Sequence, residues 1–249
     1  YPAIKRMRLR TDIGRLRYFI CGETQRICRM KYVYVLVSRP NDLYYEQALM
    51  SVYSLRRHMK DADVVFLVDD TTAASFFGKR SELKSYAASV IPVSFDDTVN
   101  GVARSRILKT TIPDYIHDDF LYIDCDTVIT GELSSVEKHT ADIAGVLDGH
   151  VMLGDHVHKD YFLKRDKKLG FCGTKKNGFH VNSGVFFVKN TETSKQFFKL
   201  WHELWKYGYT VKKDHHDQSA FNEAWYRMRF GNSFLDGEWN CQLSHGGLA

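Results

Sequence analysis

The chain has 249 residues, of which 44% are hydrophobic, 14% aromatic and 26% charged, a composition that excludes a disordered, collagen-like or low-complexity chain. No uninterrupted apolar run approaches the ~20 residues that a membrane-spanning helix needs. The net charge of +5 is concentrated: residues 1–31 carry nine Lys or Arg against Asp12 and Glu23, while residues 32–249 carry 26 bases and 28 acids, which excludes a uniformly basic nucleic-acid-binding domain.

Residues 1–29 read as a basic extension outside the core, either solvated or in contact with an anionic membrane surface or another polyanion. They contain no signal-peptide hydrophobic region. Residues 32–38 form a short apolar, β-branched run, closed by the turn signal Arg39-Pro40-Asn41-Asp42. A helix is predicted over 43–60, with Ala48, Leu49, Val52, Leu55 and Met59 on one face. Residues 64–68 read as a second buried strand ending at Asp69-Asp70, 71–87 as helical, and 90–93 as a third strand. A helix over 103–116 tolerates Pro113 only near its end. Phe120–Ile123 and Ile143–Leu147 complete a strand–helix alternation. That alternation predicts an α/β domain with a mostly parallel central sheet and helices on both faces. In such sheets ligands bind beyond the carboxyl ends of the strands.

The second half differs. Residues 148–180 are polar and rich in Gly, His, Lys and Asp, which predicts a partly mobile loop that buries little core. Within it, Tyr161, Phe162 and Phe171 either face a ligand or pin the segment down. A strand at 185–188 follows, then helices at 192–207, with Phe197, Phe198, Trp201 and Leu204 facing inward, and at 217–228. One domain is expected over 30–249, in two halves, 30–147 and 148–249. The five cysteines (Cys21, Cys28, Cys125, Cys172 and Cys241) are odd in number, widely spaced and without a Cys-x-x-Cys pair. They predict reduced thiols and a cytoplasmic location.

Two Asp-x-Asp pairs occur. Asp61-Ala62-Asp63 precedes a strand and reads as surface charge. Asp124-Cys125-Asp126 follows a strand, where a ligand crevice is expected. Two carboxylates there either close a turn and cap, or hold a hard divalent cation that offsets their repulsion. Such a cation keeps sites open for phosphate oxygens and acts on a diphosphate as a Lewis acid. The chain has no P-loop, no Gly-x-Gly-x-x-Gly after its first strand, and no Gly-rich opening loop of a sugar nucleotidyltransferase. What remains is an enzyme that uses a nucleotide diphosphate as leaving group.

Over residues 30–243 the chain resembles the family 8 retaining glycosyltransferases, the glycogenin and bacterial galactosyltransferase type, which have the GT-A fold. The resemblance rests on several motifs in order. These are Val35 to Ser38 followed by Tyr44 and the helix ending Ser54-Leu55; Ser105-Arg106 through Lys109 to Ile112-Pro113; Phe120-Leu121-Tyr122-Ile123-Asp124-Cys125-Asp126-Thr127; Asn182-Ser183-Gly184-Val185; Asp217-Gln218; and Glu238-Trp239-Asn240. It implies transfer of a hexose, glucose or galactose, from a UDP-sugar to a glycan or protein hydroxyl, with Mn2+ or Mg2+ on Asp124 and Asp126. It further implies that 30–249 is one catalytic domain with a nucleotide-binding half at 30–147 and an acceptor-binding half at 148–249, in which Tyr161, Phe162 and Phe171 would pack against a sugar ring or pin the segment, and that Tyr44 stacks on uracil and Asn41 lines the same pocket. Lys109 would reach the diphosphate and donor sugar, and Asp148 and Asn182 would bind that sugar. Gly184 would allow close backbone approach, and Asp217 and Gln218 would lie on the reacting face.

A retaining reaction proceeds through a carboxylate nucleophile and two inversions, or by acceptor entry on the leaving-group face; an amide such as Gln218 suits the second route, by stabilising an oxocarbenium-like centre. The resemblance breaks at the end: the family continues to a metal-binding His and Gly-x-x-Lys-Pro-Trp, whereas this sequence closes Ser244-His245-Gly246-Gly247-Leu248-Ala249. The third ligand is then His245 or a residue further on, in a C-terminus that reads as incomplete. Two other readings remain open: a nucleotide-sugar-binding module without catalysis, and a zinc hydrolase built from His150, Asp155, His156 and His158 or from His215-His216-Asp217.

Overall fold

The computed structural model describes residues 30–242. The basic extension and His245 lie outside the described residues. Strand β1 (Lys31–Leu36) leads into helix α1 (Tyr44–His58), β2 (Asp63–Asp69), α2 (Asp70–Ala74), α3 (Leu83–Tyr86) and β3 (Ser89–Val93). Then come α4 (Gly101–Thr110), β4 (Phe120–Ile123), β5 (Ile143–Leu147), α5 (Lys159–Leu169), α6 (Gly173–Asn177), β6 (Val181–Val188), α7 (Glu192–Val211) and α8 (Gln218–Met228).

The six strands form one sheet in the order β3-β2-β1-β4-β6-β5. β1 is parallel to β2 and β4, and β2 to β3. β6 alone runs against its neighbours β4 and β5. The strands read as continuous apolar runs because both faces are covered. One face sets Val33, Val35, Val65, Leu67 and Tyr122 against Leu108 of α4, Trp201 of α7 and Phe221 of α8. The other sets Tyr32, Tyr34, Phe66, Val68 and Ile123 against Ala48, Val52 and Leu55 of α1. Alternate side chains of one strand thus feed two cores. The expected α/β sheet with helices on both faces is what forms.

Strand direction places the site. β1, β2, β4 and β5 end at one edge. Because β6 is reversed, it begins there, and the Gly184 carbonyl accepts the Asp124 N–H at 2.8 Å. β6 starts at Val181, four residues before the expected position, because pairing of Val181 and Asn182 with Leu147 and Val146 carries the ladder through the polar Asn-Ser-Gly stretch.

Three expectations are corrected. The single helix over 71–87 is instead α2, a 3-10 turn (Gly78–Glu82) and α3. The helix over 103–116 begins at Gly101, where the Asn100 side chain caps it by accepting from the Ala103 N–H at 3.0 Å. It yields to a 3-10 turn, Ile112–Asp114, around Pro113. The 148–180 segment is not a loop with little core. It folds into α5 and α6 and buries Phe162, Leu169, Phe171 and Phe179. Its apolar residues are few, but each fills a place against elements distant in sequence, so local periodicity does not report them. Phe162 stacks on His180 with ring centroids 3.9 Å apart. Tyr161 stays 52% exposed, so of the three aromatics only its ring is presented to solvent. No helix among the described residues is long and apolar enough to cross a membrane.

Candidate active site

Arg106 and Lys109 are three residues apart on α4 and therefore share a face. The Lys109 ammonium, almost fully buried, lies 3.2 Å from Asp124 Oδ1 and 3.6 Å from Asp217 Oδ2. The Arg106 guanidinium sits 2.9 Å from Asp217 Oδ1. Lys109 also stands 4.7 Å above the Tyr122 ring, whose hydroxyl donates to Asp124. Burial, together with Asp124, pushes the Tyr122 phenol well up, so it remains a donor.

Asp217 occupies the N-cap position of α8, yet its side chain makes no capping bond. Its carboxylate faces α4 instead. Burial works to raise that carboxyl, but Lys109 and Arg106 outweigh it and hold it below its ordinary value. The Arg106 guanidinium is raised in turn, chiefly by Asp217.

Asp126 differs. It is exposed, and among the described residues no salt bridge reaches it. The protein around it still strips solvent from the carboxyl, and Asp124 repels it, so its pKa is raised. Two cations therefore face three carboxylates at this edge, and the unmatched negative charge falls on Asp126. Between the two carboxylates, burial pushes the Cys125 thiol well up, and it donates to the Val35 carbonyl at 3.3 Å. Gly184 closes the floor: a Cβ there would come within 2.9 Å of Asn182 Oδ1 and 3.1 Å of Asp124 Oδ2.

Beyond β5, Asp148 gathers the remaining candidates. Its Oδ2 accepts from Asn182 Nδ2 at 2.9 Å and from Gln218 Nε2 at 2.8 Å. Its Oδ1 takes the His156 imidazole at 3.0 Å. The Gln218 oxygen accepts from the Ser183 N–H and hydroxyl at 3.3 and 3.4 Å. Asn182 Oδ1 accepts from the Gly184 N–H at 2.8 Å and from Asn240 Nδ2 at 2.9 Å.

At the other end of the edge, Tyr44 and Asn41 are exposed beside β1. The Tyr44 ring is 57% exposed, whereas Tyr45 is buried with Arg80 stacked 4.4 Å over it. Asp42 sets this turn by accepting from the Arg39 N–H at 2.6 Å and the Tyr44 N–H at 3.1 Å. Behind it the buried Asp69 carboxylate binds Arg39 at 2.8 Å and Arg104 at 3.0 Å, tying the β1 turn to β2 and α4.

The structure thus joins Lys109, Asp124, Asn182, Gly184 and Asp217 with Asp148 and Gln218 at one edge, with Tyr44 and Asn41 on its flank. Sequence reasoning assigned no role to Arg106, Tyr122 or Asn240, and placed His156 only in a zinc cluster. Arg106 was findable, three residues from Lys109 on one helical face. Tyr122 and His156 carry no local signal. Among the described residues no group of three His, Cys, Asp or Glu is assembled to hold a metal. The proposed zinc histidines have other partners: His150 meets the Asn240 carbonyl and His216 meets Asp214.

A family model for nucleotide-diphospho-sugar transferases matches residues 118–238. The apo form of glycosyltransferase GlyE from Streptococcus pneumoniae TIGR4 is similar, with TM-score 0.58 and 20% identity over 88% of this chain and 48% of GlyE. Galactosyltransferase LgtC, in complex with donor and acceptor sugar analogues, has TM-score 0.52 and 15% identity over 83% of this chain and 73% of LgtC. The chain thus spans about half the length of GlyE. No curated protein matches it. With five of six strands in one direction and these neighbours, the chain carries the GT-A type nucleotide-diphospho-sugar transferase fold.

Proposed function

We propose that the chain is a metal-dependent retaining glycosyltransferase that moves a hexose, glucose or galactose, from a UDP-sugar to a hydroxyl of a glycan or protein. The observation that carries this reading is the continuous polar edge running from Asp124 and Lys109 through Asp217 to Gln218 and Asp148. It lies within the stretch matched by the nucleotide-diphospho-sugar transferase model, apart from Lys109 and Arg106 on α4.

Asp124 and Asp126 fit a hard divalent cation, Mn2+ or Mg2+: both offer oxygen donors, and Asp126 holds the unmatched charge of the edge. Bound there, the cation supplies Lewis-acid polarisation of the diphosphate. Lys109 and Arg106 keep positive charge beside the site where leaving-group charge develops, and Asp217 holds both in place. Asp148 and Asn182 accept and donate hydrogen bonds to sugar hydroxyls. The Gln218 oxygen is aligned by Ser183, so its dipole stabilises positive charge at the anomeric carbon while the acceptor enters on the leaving-group face.

Titration calorimetry with UDP and Mn2+, followed by UDP-hexose hydrolysis, tests the reading. Expected are metal-dependent binding and slow donor hydrolysis. No UDP binding would sink it, and UDP binding with an intact donor would leave a nucleotide-sugar-binding module. Tyr44→Ala is expected to raise the UDP dissociation constant about 5- to 150-fold through lost stacking, taking about 1–3 kcal/mol per stacked base. Unchanged affinity would remove Tyr44 from the base site; the burial of Tyr45 leaves it no means to substitute.

A further inference from the structure

We propose that His156 is a positioning residue for Asp148, and that this pair sets which hexose the donor site accepts. The proposal rests on the glycosyltransferase reading above.

The geometry specifies the imidazole's role. The His158 backbone N–H donates to His156 Nδ1 at 2.9 Å, so Nδ1 is an acceptor and carries no proton. The ring proton therefore sits on Nε2, which donates to Asp148 Oδ1 at 3.0 Å. Both partners are buried. The opposite carboxylate oxygen takes Asn182 and Gln218. Asp148 is thus held from two sides, and on its Oδ1 side His156 is a donor that does not itself belong to the sugar-binding set.

The approach depends on Gly149. Its φ is +63°, and a Cβ there would fall 2.9 Å from His156 Nε2, so a side chain at 149 would push the ring off Asp148. The ring is held from behind by Phe162, centroids 4.9 Å apart, which itself stacks on His180. His180 cannot replace His156. Burial lowers its pKa to about 3, and its two nitrogens meet Thr174 at 3.0 Å and Asn222 at 3.4 Å.

A carboxylate oriented in this way accepts from a hydroxyl at one place on the sugar ring. Epimers that differ there are separated by a hydrogen bond made or missing, which a site built for it reads strongly. Removing His156 takes the donor from Asp148 Oδ1 and leaves the carboxylate anchored from its Oδ2 side by Asn182 and Gln218, so the direction of Oδ1 is no longer fixed by the ring. The loss falls on the sugar and spares the nucleotide.

The test combines kinetics with a measurement on the unliganded protein. Long-range proton–nitrogen NMR of the wild type is expected to show the His156 proton on Nε2. His156→Leu is expected to lower kcat/KM for the preferred donor about 10- to 100-fold, as small misplacements do, and to narrow the difference between UDP-glucose and UDP-galactose. Its affinity for UDP with Mn2+ should match the wild type. His156→Gln, whose amide can donate toward Asp148, is expected to recover most of the rate and the discrimination. A proton on Nδ1 overturns the proposal, whether or not the leucine variant folds. So does unchanged donor discrimination in a folded His156→Leu, or a Gln variant that recovers nothing. A wild type that fails to bind UDP overturns the glycosyltransferase reading, and this proposal with it.

Discussion

Asp217→Ala is expected to abolish donor turnover and to destabilise the protein. The carboxylate is buried and faces two cations, Arg106 at 2.9 Å and Lys109 at 3.6 Å. Removing one partner of a buried pair costs about 3–5 kcal/mol, because it leaves charge without compensation. Lys109 keeps Asp124 and Arg106 is partly exposed, so the lower end applies. For a chain of this size about 3 kcal/mol lowers Tm by roughly 6–12 °C. Turnover of a UDP-hexose should fall at least about 100-fold, since the charged pair beside the leaving group loses its anchor.

The pH dependence has a definite sign. The Asp217 carboxyl is held below its ordinary value, against the opposing effect of burial. Its contribution is therefore complete above the ordinary carboxylate range, near about pH 4, and is lost as pH falls through the lowered folded value. The Tm difference between wild type and Asp217→Ala should be constant at neutral pH and shrink below that range. A difference that persists unchanged into acid would show that the pair contributes nothing.

Asp126→Asn should do the reverse to stability while removing metal-supported activity. This carboxyl is raised, by loss of solvent around it and by Asp124. A raised acid favours the fold below its unfolded pKa, and that contribution is lost as pH rises through the folded value. At neutral pH the metal-free wild type therefore carries an unrelieved repulsion, and the amide removes it. Metal-free Tm should hold or rise at pH 7, and the advantage should vanish in acid. Mn2+ stabilises whichever form binds it by mass action, so it should raise the wild-type Tm and leave that of Asp126→Asn unmoved. Turnover with Mn2+ should fall at least about 100-fold, the scale of several kcal/mol of Lewis-acid stabilisation. An equal Mn2+ shift in both proteins would remove Asp126 from the metal site. The two aspartates thus separate by experiment: loss of Asp217 costs both fold and turnover, loss of Asp126 turnover alone.

Much of this arrangement is legible in the amino-acid order. The apolar runs at 32–36, 64–68 and 120–123, interrupted by helical periods, dictate an α/β sheet, because a strand covered on both faces needs apolar residues at every position. That same rule puts Asp124 at the carboxyl end of a strand, where a ligand can reach it. The three- and four-residue spacing of Ala48, Val52 and Leu55 likewise determines which face of α1 is buried, and it separates exposed Tyr44 from buried Tyr45 only once the start of the helix is known.

Tertiary structure decided the rest. The reversal of β6 brings Asn182 and Gly184 to the Asp124 edge, and nothing in Val181–Val188 signals its direction. Phe162, Leu169 and Phe171 look isolated in a polar stretch, because their partners lie on elements far along the chain. Lys109 is assigned to the diphosphate by resemblance alone; its burial comes from β4 and α8, which set Asp124 and Asp217 on either side of it. His156 becomes a donor to Asp148 through a left-handed glycine and a backbone N–H two residues on. The physical reason is common to all four. Periodicity records how a segment divides its own faces between core and water, whereas the partners of a buried charge or an isolated aromatic depend on strand order and direction, which are properties of the whole sheet.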